Sequence, residues 1–205
     1  MARVKKRKLR LMVSSTVYGI EPILDQIHAI LENFGYEVWM SHAGTLPVDP
    51  GVSAFESCIN AVRECDIFMG MITNHYGSGK DGPDSLSITH QELDEAIALN
   101  KPRWILAHSD VVMARRLLID LGYKDCDARK GLALKKGASV IDDLKLIDMY
   151  EAATREDLKL KDRTGNWVQK YQTKDDILRY IHRQFSAVER NRLLVDRFNN
   201  NGGEN

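Results

Sequence analysis

The feature that most constrains the fold of this sequence is a continuous apolar run from Ile67 to Ile72, which follows Asp66 and ends at Thr73. A strand without a polar residue at every second position has no face for solvent, so both of its faces must be covered. Such sheets are built from parallel strands that alternate with helices, because each crossover helix packs on one face. The run therefore predicts the central strand of an α/β domain.

The segments around this run alternate between patterns typical of strands and of helices. A strand at residues 9–13 leads through small polar residues into a helix whose apolar side chains keep helical spacing from Ile20 to Phe34. Further strands are predicted at 36–40, 104–107 and 167–171, and further helices around 52–62, 89–99, 110–121, 140–147 and 173–188. We therefore predict a flavodoxin-like, three-layer α/β fold with a mostly parallel five-stranded sheet and helices on both faces.

The length of 205 residues allows one sizeable α/β domain, which we place at 9–190 with a helical C-terminal extension. Residues 1–8 are predicted to form a basic arm, and 191–205 the end of a helix and a disordered tail. Residues 122–137 carry no pattern that assigns a structure. The helix at 110–121 is predicted from the spacing of its apolar residues: Val111, Ala114, Leu117, Leu118 and Leu121.

Composition limits the partners of this chain. Lys and Arg together number 29 and so do Asp and Glu, so no global field attracts nucleic acid or a membrane surface. The sequence contains no membrane-spanning apolar stretch and no signal peptide pattern, and its three cysteines have no CxxC spacing. We therefore expect a cytoplasmic protein that binds neither membranes nor nucleic acid, and the assembly state stays open between a monomer and a homo-oligomer.

Three polar segments are expected to meet at one edge of the sheet. In doubly wound sheets, ligands bind beyond the carboxyl ends of the strands where the strand order reverses. Here these segments are Ser14–Tyr18 after the first strand, Thr73–Gly79 after the central strand, and the helix start that carries Thr89 and Glu92. The sequence therefore predicts a ligand site at this edge.

Glu92 is the carboxylate that this arrangement singles out. Leu93, Ala96 and Ile97 form the apolar face of its helix, and Glu92 falls on a separate row, so it is predicted to point away from the packed face. A structural alternative exists, because Thr89 and Glu92 have the spacing of a capping box. The local sequence leaves both interpretations open.

Two short motifs suggest a cofactor or a metal, but neither is complete. Gly77 to Lys80 resembles part of a phosphate-binding P-loop, yet Asn74 stands where that motif needs a glycine, and Gly82 and Pro83 follow where it needs a helix. The sequence from His90 to Glu92 matches half of a zinc deaminase signature that lacks its Pro-Cys-x-x-Cys partner. We expect no metal and no cofactor.

Two segments resemble known families. The run from Asp66 to Thr73, followed by the pattern from Thr89 through Glu92 to Lys101-Pro102, resembles the nucleoside 2-deoxyribosyltransferase-like proteins, whose nucleophilic glutamate stands ten residues before a Gly-Lys-Pro strand start. The segment from Arg10 to Tyr18, with Glu21, resembles the opening of the domain of unknown function 4062 family, which is related to that fold and to TIR domains. In this sequence Asn100 replaces the glycine of the Gly-Lys-Pro motif.

The resemblance implies cleavage of an N-glycosidic bond in a nucleoside, a nucleotide or NAD, with Glu92 as the catalytic carboxylate of a hydrolase or a ribosyl transferase. Such a reaction passes through an oxocarbenium-like ribosyl centre that a carboxylate can stabilise or attack. The expected substrate-binding residues are Ser14, Ser15, Thr16, Tyr18, Thr73, Asn74, Tyr76, Gly77 and Thr89. The alternative is a non-enzymatic nucleotide-binding sensor or TIR-like interaction module.

The loop at residues 74–86 is predicted to cover this site. It holds three glycines, which reorient at little cost, and Tyr76, whose ring could stack on a base or ribose. The alternative is a surface loop in which Tyr76 packs on the edge of the sheet.

Overall fold

The computed structural model describes residues 6–79 and 85–201. Its strands are β1 (Arg10–Ser15), β2 (Glu37–Trp39), β3 (Ile67–Ile72), β4 (Arg103–His108) and β5 (Val168–Tyr171). Its helices are α1 (Glu21–Phe34), α2 (Ala54–Glu64), α3 (Ile88–Ala98), α4 (Ser109–Asp120), α5 (Cys126–Arg129), α6 (Lys145–Thr154), α7 (Lys174–Phe185) and α8 (Val188–Asn201), with a 3-10 turn at Leu160–Asp162. None of the helices in these described ranges is both long and apolar enough to cross a membrane.

The five strands form one parallel sheet in the order β2-β1-β3-β4-β5. All six residues of β3 are buried, as its apolar run predicts for a central strand. The strand order reverses between β1 and β3, which is the flavodoxin-like arrangement. The predicted fold class is therefore confirmed, and the crevice between β1 and β3 is where this fold binds ligands.

Side chains alternate along β1 between two hydrophobic layers, one on each face of the sheet. Leu11 and Val13 pack with residues of α1 and α7, whereas Met12 packs with residues of α2, α3 and α6. The helix α1, which covers the first layer, begins and ends where the sequence predicts. Pro22 lies in its first turn, and Gly35 caps its end with a φ of 103°, which favours glycine. The three-layer arrangement follows from these two covered faces.

The C-terminal region differs from the prediction of one last helix. Two helices are present, because α7 ends at Phe185 and α8 begins at Val188 after a short break. Asn191 lies fully buried near the start of α8, and its amide donates hydrogen bonds to the Tyr36 hydroxyl at 2.8 Å and to the Gln184 carbonyl at 2.8 Å. The second helix therefore packs on the domain and continues to Asn201, within the segment predicted to hold a helix end and a tail.

The segment without a predicted structure contains the short helix α5. Arg129 at its end is buried and donates hydrogen bonds to Asp148 at 2.7 Å and to Glu151 at 2.6 Å, both on α6. Arg115 on α4 also bonds to Glu151, at 3.0 Å. This ion-pair network ties α4, α5 and α6 together, which is why a segment without hydrophobic periodicity has a fixed place.

Candidate active site

A cleft of about 680 Å³ opens at the carboxyl ends of β1 and β3, at the switch point of the sheet. Its walls come from the end of β1, the start of α1, the loop after β3 and the first turn of α3: Ser15, Thr16, Val17, Tyr18, Glu21, Ser41, His75, Gly77, Ser78, Ile88, Thr89 and Asp142. A second cleft, of about 670 Å³, lies between α2 and α3 and is lined partly by Glu56, Asp94 and Glu95. We take the first as the candidate site because it lies where this fold binds ligands.

The loops after β1 and β3 are joined through one carbonyl oxygen. Thr16 Oγ1 and Thr73 Oγ1 each donate a hydrogen bond of 2.9 Å to the carbonyl of His75. Gly77 follows with a φ of +85°, and a Cβ at that position would lie 3.1 Å from Thr16 Oγ1. The close approach of the two loops therefore requires glycine at position 77.

Glu92 lies beneath this junction, in the interior of the protein. Only 5% of its surface is exposed, and Ser14 Oγ at the end of β1 donates a 2.5 Å hydrogen bond to Glu92 Oε2. Burial raises the pKa of Glu92 from 4.5 to about 7, because it removes water from the ionised form, and hydrogen bonds from Ser14 and Cys58 oppose that rise. Burial likewise raises the pKa of the Cys58 thiol, to about 12, with the nearby Glu92 charge adding to the effect. The carboxylate is thus close to its titration point at neutral pH.

The prediction that Glu92 points away from the packed face is wrong. The helix α3 packs against β1 on one side and against α2 and α6 on others. The row of side chains that contains Glu92 is therefore covered as well as the apolar row. Leu93 and Ala96 pack in the hydrophobic layer, while Glu92 faces Ser14. Helical periodicity identifies the apolar face, but it does not show which other face a strand covers.

The capping-box explanation of Glu92 is also wrong. The helix cap is Ser87, whose hydroxyl accepts a 3.3 Å hydrogen bond from the His90 backbone N–H. Thr89 lies within the first turn, is nearly buried, and lines the cleft. Glu92 therefore has no capping role, and its buried position next to Ser14 needs another explanation.

Tyr76 does not face the cleft, contrary to the prediction that its ring stacks on a ligand. It is 2% exposed, accepts a 3.2 Å hydrogen bond from the Ser87 N–H, and its hydroxyl lies 2.7 Å from His90 Nδ1. Burial lowers the pKa of His90, which favours the neutral imidazole beside this hydroxyl. Tyr76 therefore anchors the start of α3. Residues 80–84 of the proposed cover lie outside the described residues, so the cover itself stays a prediction.

Tyr18 is the aromatic residue that the cleft exposes. Its side chain is 72% exposed and lies edge-on to His75, with ring centroids 5.5 Å apart. His75 Nδ1 in turn lies 3.1 Å from Asp142 Oδ2, and Asp142 Oδ1 accepts from the Tyr76 N–H at 2.8 Å. An aromatic ring, an imidazole and a carboxylate thus form one wall of the cleft.

The predicted substrate-binding residues divide into two groups. The cleft is lined by Ser15, Thr16, Tyr18, Gly77 and Thr89. Ser14 and Thr73 are buried beside it, and the Asn74 carbonyl accepts a 3.3 Å hydrogen bond from the Asp142 N–H. Sequence reasoning missed Glu21, Ser41 and Asp142 as lining residues. No sequence pattern pointed to Asp142, because only its long-range hydrogen bonds to residues 74–76 bring it to the cleft.

The described residues contain no group of three His, Cys, Asp or Glu side chains positioned to hold a metal ion. The groups near the cleft offer hydroxyls, backbone N–H groups, an imidazole and carboxylates. Such a set can bind the hydroxyls of a sugar and stabilise positive charge that develops on it.

No curated protein matches the sequence. Among solved structures, the fold is similar to that of the CMP N-glycosidase BcmB of Clostridium botulinum, with 14% identity, a TM-score of 0.42, and coverage of 84% of this chain and 97% of that one. It is also similar to a 2-desoxiribosyltransferase from Leishmania mexicana, with 17% identity, a TM-score of 0.37, and coverage of 71% of this chain and 97% of that one. The sequence profile described as Domain of unknown function (DUF4062) matches residues 10–186. The chain belongs to this DUF4062 family.

Proposed function

We propose that this protein cleaves the N-glycosidic bond of a nucleoside, a nucleotide or NAD, as a hydrolase or as a ribosyl transferase, with Glu92 as its catalytic carboxylate. The observation that carries the proposal is the position of Glu92, buried at the switch point and bonded to Ser14 with its pKa raised to about 7. Strongly perturbed carboxyl groups beside a cleft are typical of catalytic sites.

The chemistry follows from the charge that develops in the substrate. As the bond from C1′ to the base nitrogen breaks, the ribose becomes oxocarbenium-like, and the bonding electrons leave with the base. Ionised Glu92 stabilises this positive centre most effectively where water is excluded, since the effective dielectric constant is low there. Attack by Glu92 on C1′ would give a ribosyl-enzyme ester that a second acceptor resolves, and attack by water would release the sugar portion of the substrate directly, with a hydroxyl at C1′.

The residues on the cleft surface supply the binding contacts. Tyr18 offers an exposed ring on which a base can stack, and Thr16 and Thr89 lie at the loop junction and above Glu92. The hydroxyls of Ser15, Thr16 and Thr89 in the cleft lining suit ribose hydroxyls or a phosphate. We propose that Thr89, one helical turn before Glu92, contacts the sugar whose C1′ reacts.

The experiment compares wild type, Glu92→Gln and Glu95→Gln on NAD, nucleosides and nucleoside monophosphates, with free base measured by chromatography. Glu95 is the matched control, because it lies on the same helix and bonds to Arg63 at the other cleft. We expect base release by wild type and Glu95→Gln, and none by Glu92→Gln. Equal traces of base from wild type and Glu92→Gln would refute the catalytic role.

A nucleotide-binding sensor without enzymatic activity is the second candidate. It is favoured by the same burial, because the Glu92 carboxylate already bonds to Ser14 and Cys58 and can serve as a structural link between α3 and β1. Calorimetric titration distinguishes the two. A sensor binds a nucleotide without releasing base, and Tyr18→Ala weakens that binding while Glu92→Gln leaves it intact.

A further inference from the structure

The helix α4 carries two apolar faces, of which the domain uses one. Val111 is fully buried, and Ala114 and Leu118 pack against the hydrophobic layer formed with α2, α3 and α6. A neighbouring face, roughly a quarter turn around the helix from these packed residues, exposes three large apolar side chains: Met113 (67%), Leu117 (57%) and Leu121 (63%). An exposed apolar face beside a packed one is typical of a helix that a further partner covers.

The three exposed side chains form a continuous stripe. Their spacing of four residues places them above one another on one face over about 12 Å of helix. Arg116 and Asp120 flank the stripe and are both exposed, and neither belongs to an ion pair within the part of the chain that the structure describes. We call these five residues, from Met113 to Leu121, the α4 stripe.

A groove of about 460 Å³ runs beside the α4 stripe, between α4 and the edge strand β5. Its lining includes Val112, with Met113 and Leu117 from the stripe. Two cations and two anions border it: Arg116, Lys170, Asp110 and Asp120. The groove thus has apolar walls that a large side chain could fill and a charged border without a dominant sign.

We propose that the α4 stripe is the contact surface for a second copy of this chain, with the two α4 helices packed antiparallel about a twofold axis. In an antiparallel pair centred near Leu117, Met113 of each copy lies near Leu121 of the other and reaches the groove beside it. The same symmetry brings Arg116 towards the partner's Asp120 twice. The surface is therefore complementary to itself in both shape and charge.

The charge pattern favours a second copy over other occupants. A nucleic acid or an anionic membrane would be matched by an excess of cations, whereas the α4 stripe carries one of each sign. The whole chain has no net charge, with 29 basic and 29 acidic residues, so two copies do not repel each other as they approach. This inference is independent of the proposed function, because α4 does not line the cleft that contains Thr89.

The first experiment measures the molar mass of the full chain by sedimentation velocity, up to about 100 µM. We expect wild type to be a dimer and Leu117→Glu to be a monomer, with dimer affinity reduced roughly 30-fold or more. Leu193→Glu is the matched control, because Leu193 is 59% exposed and lies on α8, which packs on the other face of the sheet, and it should leave the dimer unchanged. A monomeric wild type, or a dimer that Leu117→Glu leaves intact, would overturn the proposal.

The second experiment tests the twofold arrangement by charge reversal. Arg116→Asp and Asp120→Arg each place like charges together across the axis, so each should weaken the dimer. The double variant restores opposite charges and should recover wild-type affinity, with unchanged far-UV circular dichroism in all three variants because both residues are exposed. A double variant as weak as the single ones would refute the antiparallel contact.

Discussion

Replacement of Glu92 by glutamine should make the protein's stability less sensitive to pH. The folded protein holds the proton of Glu92 more tightly than the unfolded chain does, because the pKa rises from 4.5 to about 7 on folding. Stability from this group is therefore fully present below pH 4.5 and is lost as the pH rises through about 7. Glutamine has no such proton, so Glu92→Gln should lack this loss.

The raised pKa sets the size of the effect. Between about pH 5 and pH 8, wild type should lose roughly 2 to 3 kcal/mol of unfolding free energy relative to Glu92→Gln. Full burial of the carboxylate justifies this conversion, because little solvent screens it. With a urea dependence of about 2 kcal/mol per molar, the difference between the two midpoints should change by about 1 M over that range.

The assay is urea unfolding of both proteins in a pH series. All other titrating groups are common to the two proteins, so their contributions cancel in the difference. Ser14→Ala provides a second test, because it removes a hydrogen bond that stabilises the ionised form and should raise the pKa of Glu92 further. If the difference in unfolding free energy between wild type and Glu92→Gln stays constant from pH 5 to pH 8, the raised pKa of the buried Glu92 carboxyl group is refuted.

Three further changes test other parts of the site and fold. Tyr18→Ala should raise KM about tenfold or more with unchanged thermal unfolding, because the ring is 72% exposed, and an unchanged KM in steady-state assays would exclude stacking. Gly77→Ala should destabilise by about 1 to 3 kcal/mol in urea unfolding, since φ is +85° and Thr16 is close, and a neutral result would contradict the loop geometry. Asn191→Ala should cost about 1 to 3 kcal/mol, because it leaves Tyr36 with one partner fewer, and loss only of local structure in α8 by hydrogen exchange would contradict a global role.

The parallel α/β fold and the place of the cleft could be predicted from the sequence, because the alternation of strands and helices that implies them is a local pattern. The apolar run of β3 needs no distant contact to be recognised, and the polar turn at Ser14–Thr16 follows β1 directly. The parallel sheet then brings the two carboxyl ends together. Glu92 was singled out for the same reason, since its helix follows β3.

The environment of these residues depends on contacts between distant segments and could not be predicted. Glu92 is buried because β1, 78 residues earlier, covers its side of α3. Tyr76 turns inward because His90 and Ser87 offer it partners. The exposure of Leu117 and Leu121 on α4 could not be predicted either, because periodicity does not distinguish a face that packs in the domain from one that does not.

The bond between Tyr36 and Asn191 has a consequence for the order of assembly. Phe185 and Val195 complete the same hydrophobic layer as α1, and the Tyr36 hydroxyl donates to the Phe185 carbonyl at 3.0 Å. During synthesis on the ribosome, the apolar surface of α1 in this layer therefore stays exposed until α7 and α8 have emerged. A chain shortened at residue 186, where the family match stops, would lose Asn191 and Val195 and leave apolar surface open to chaperones and proteases.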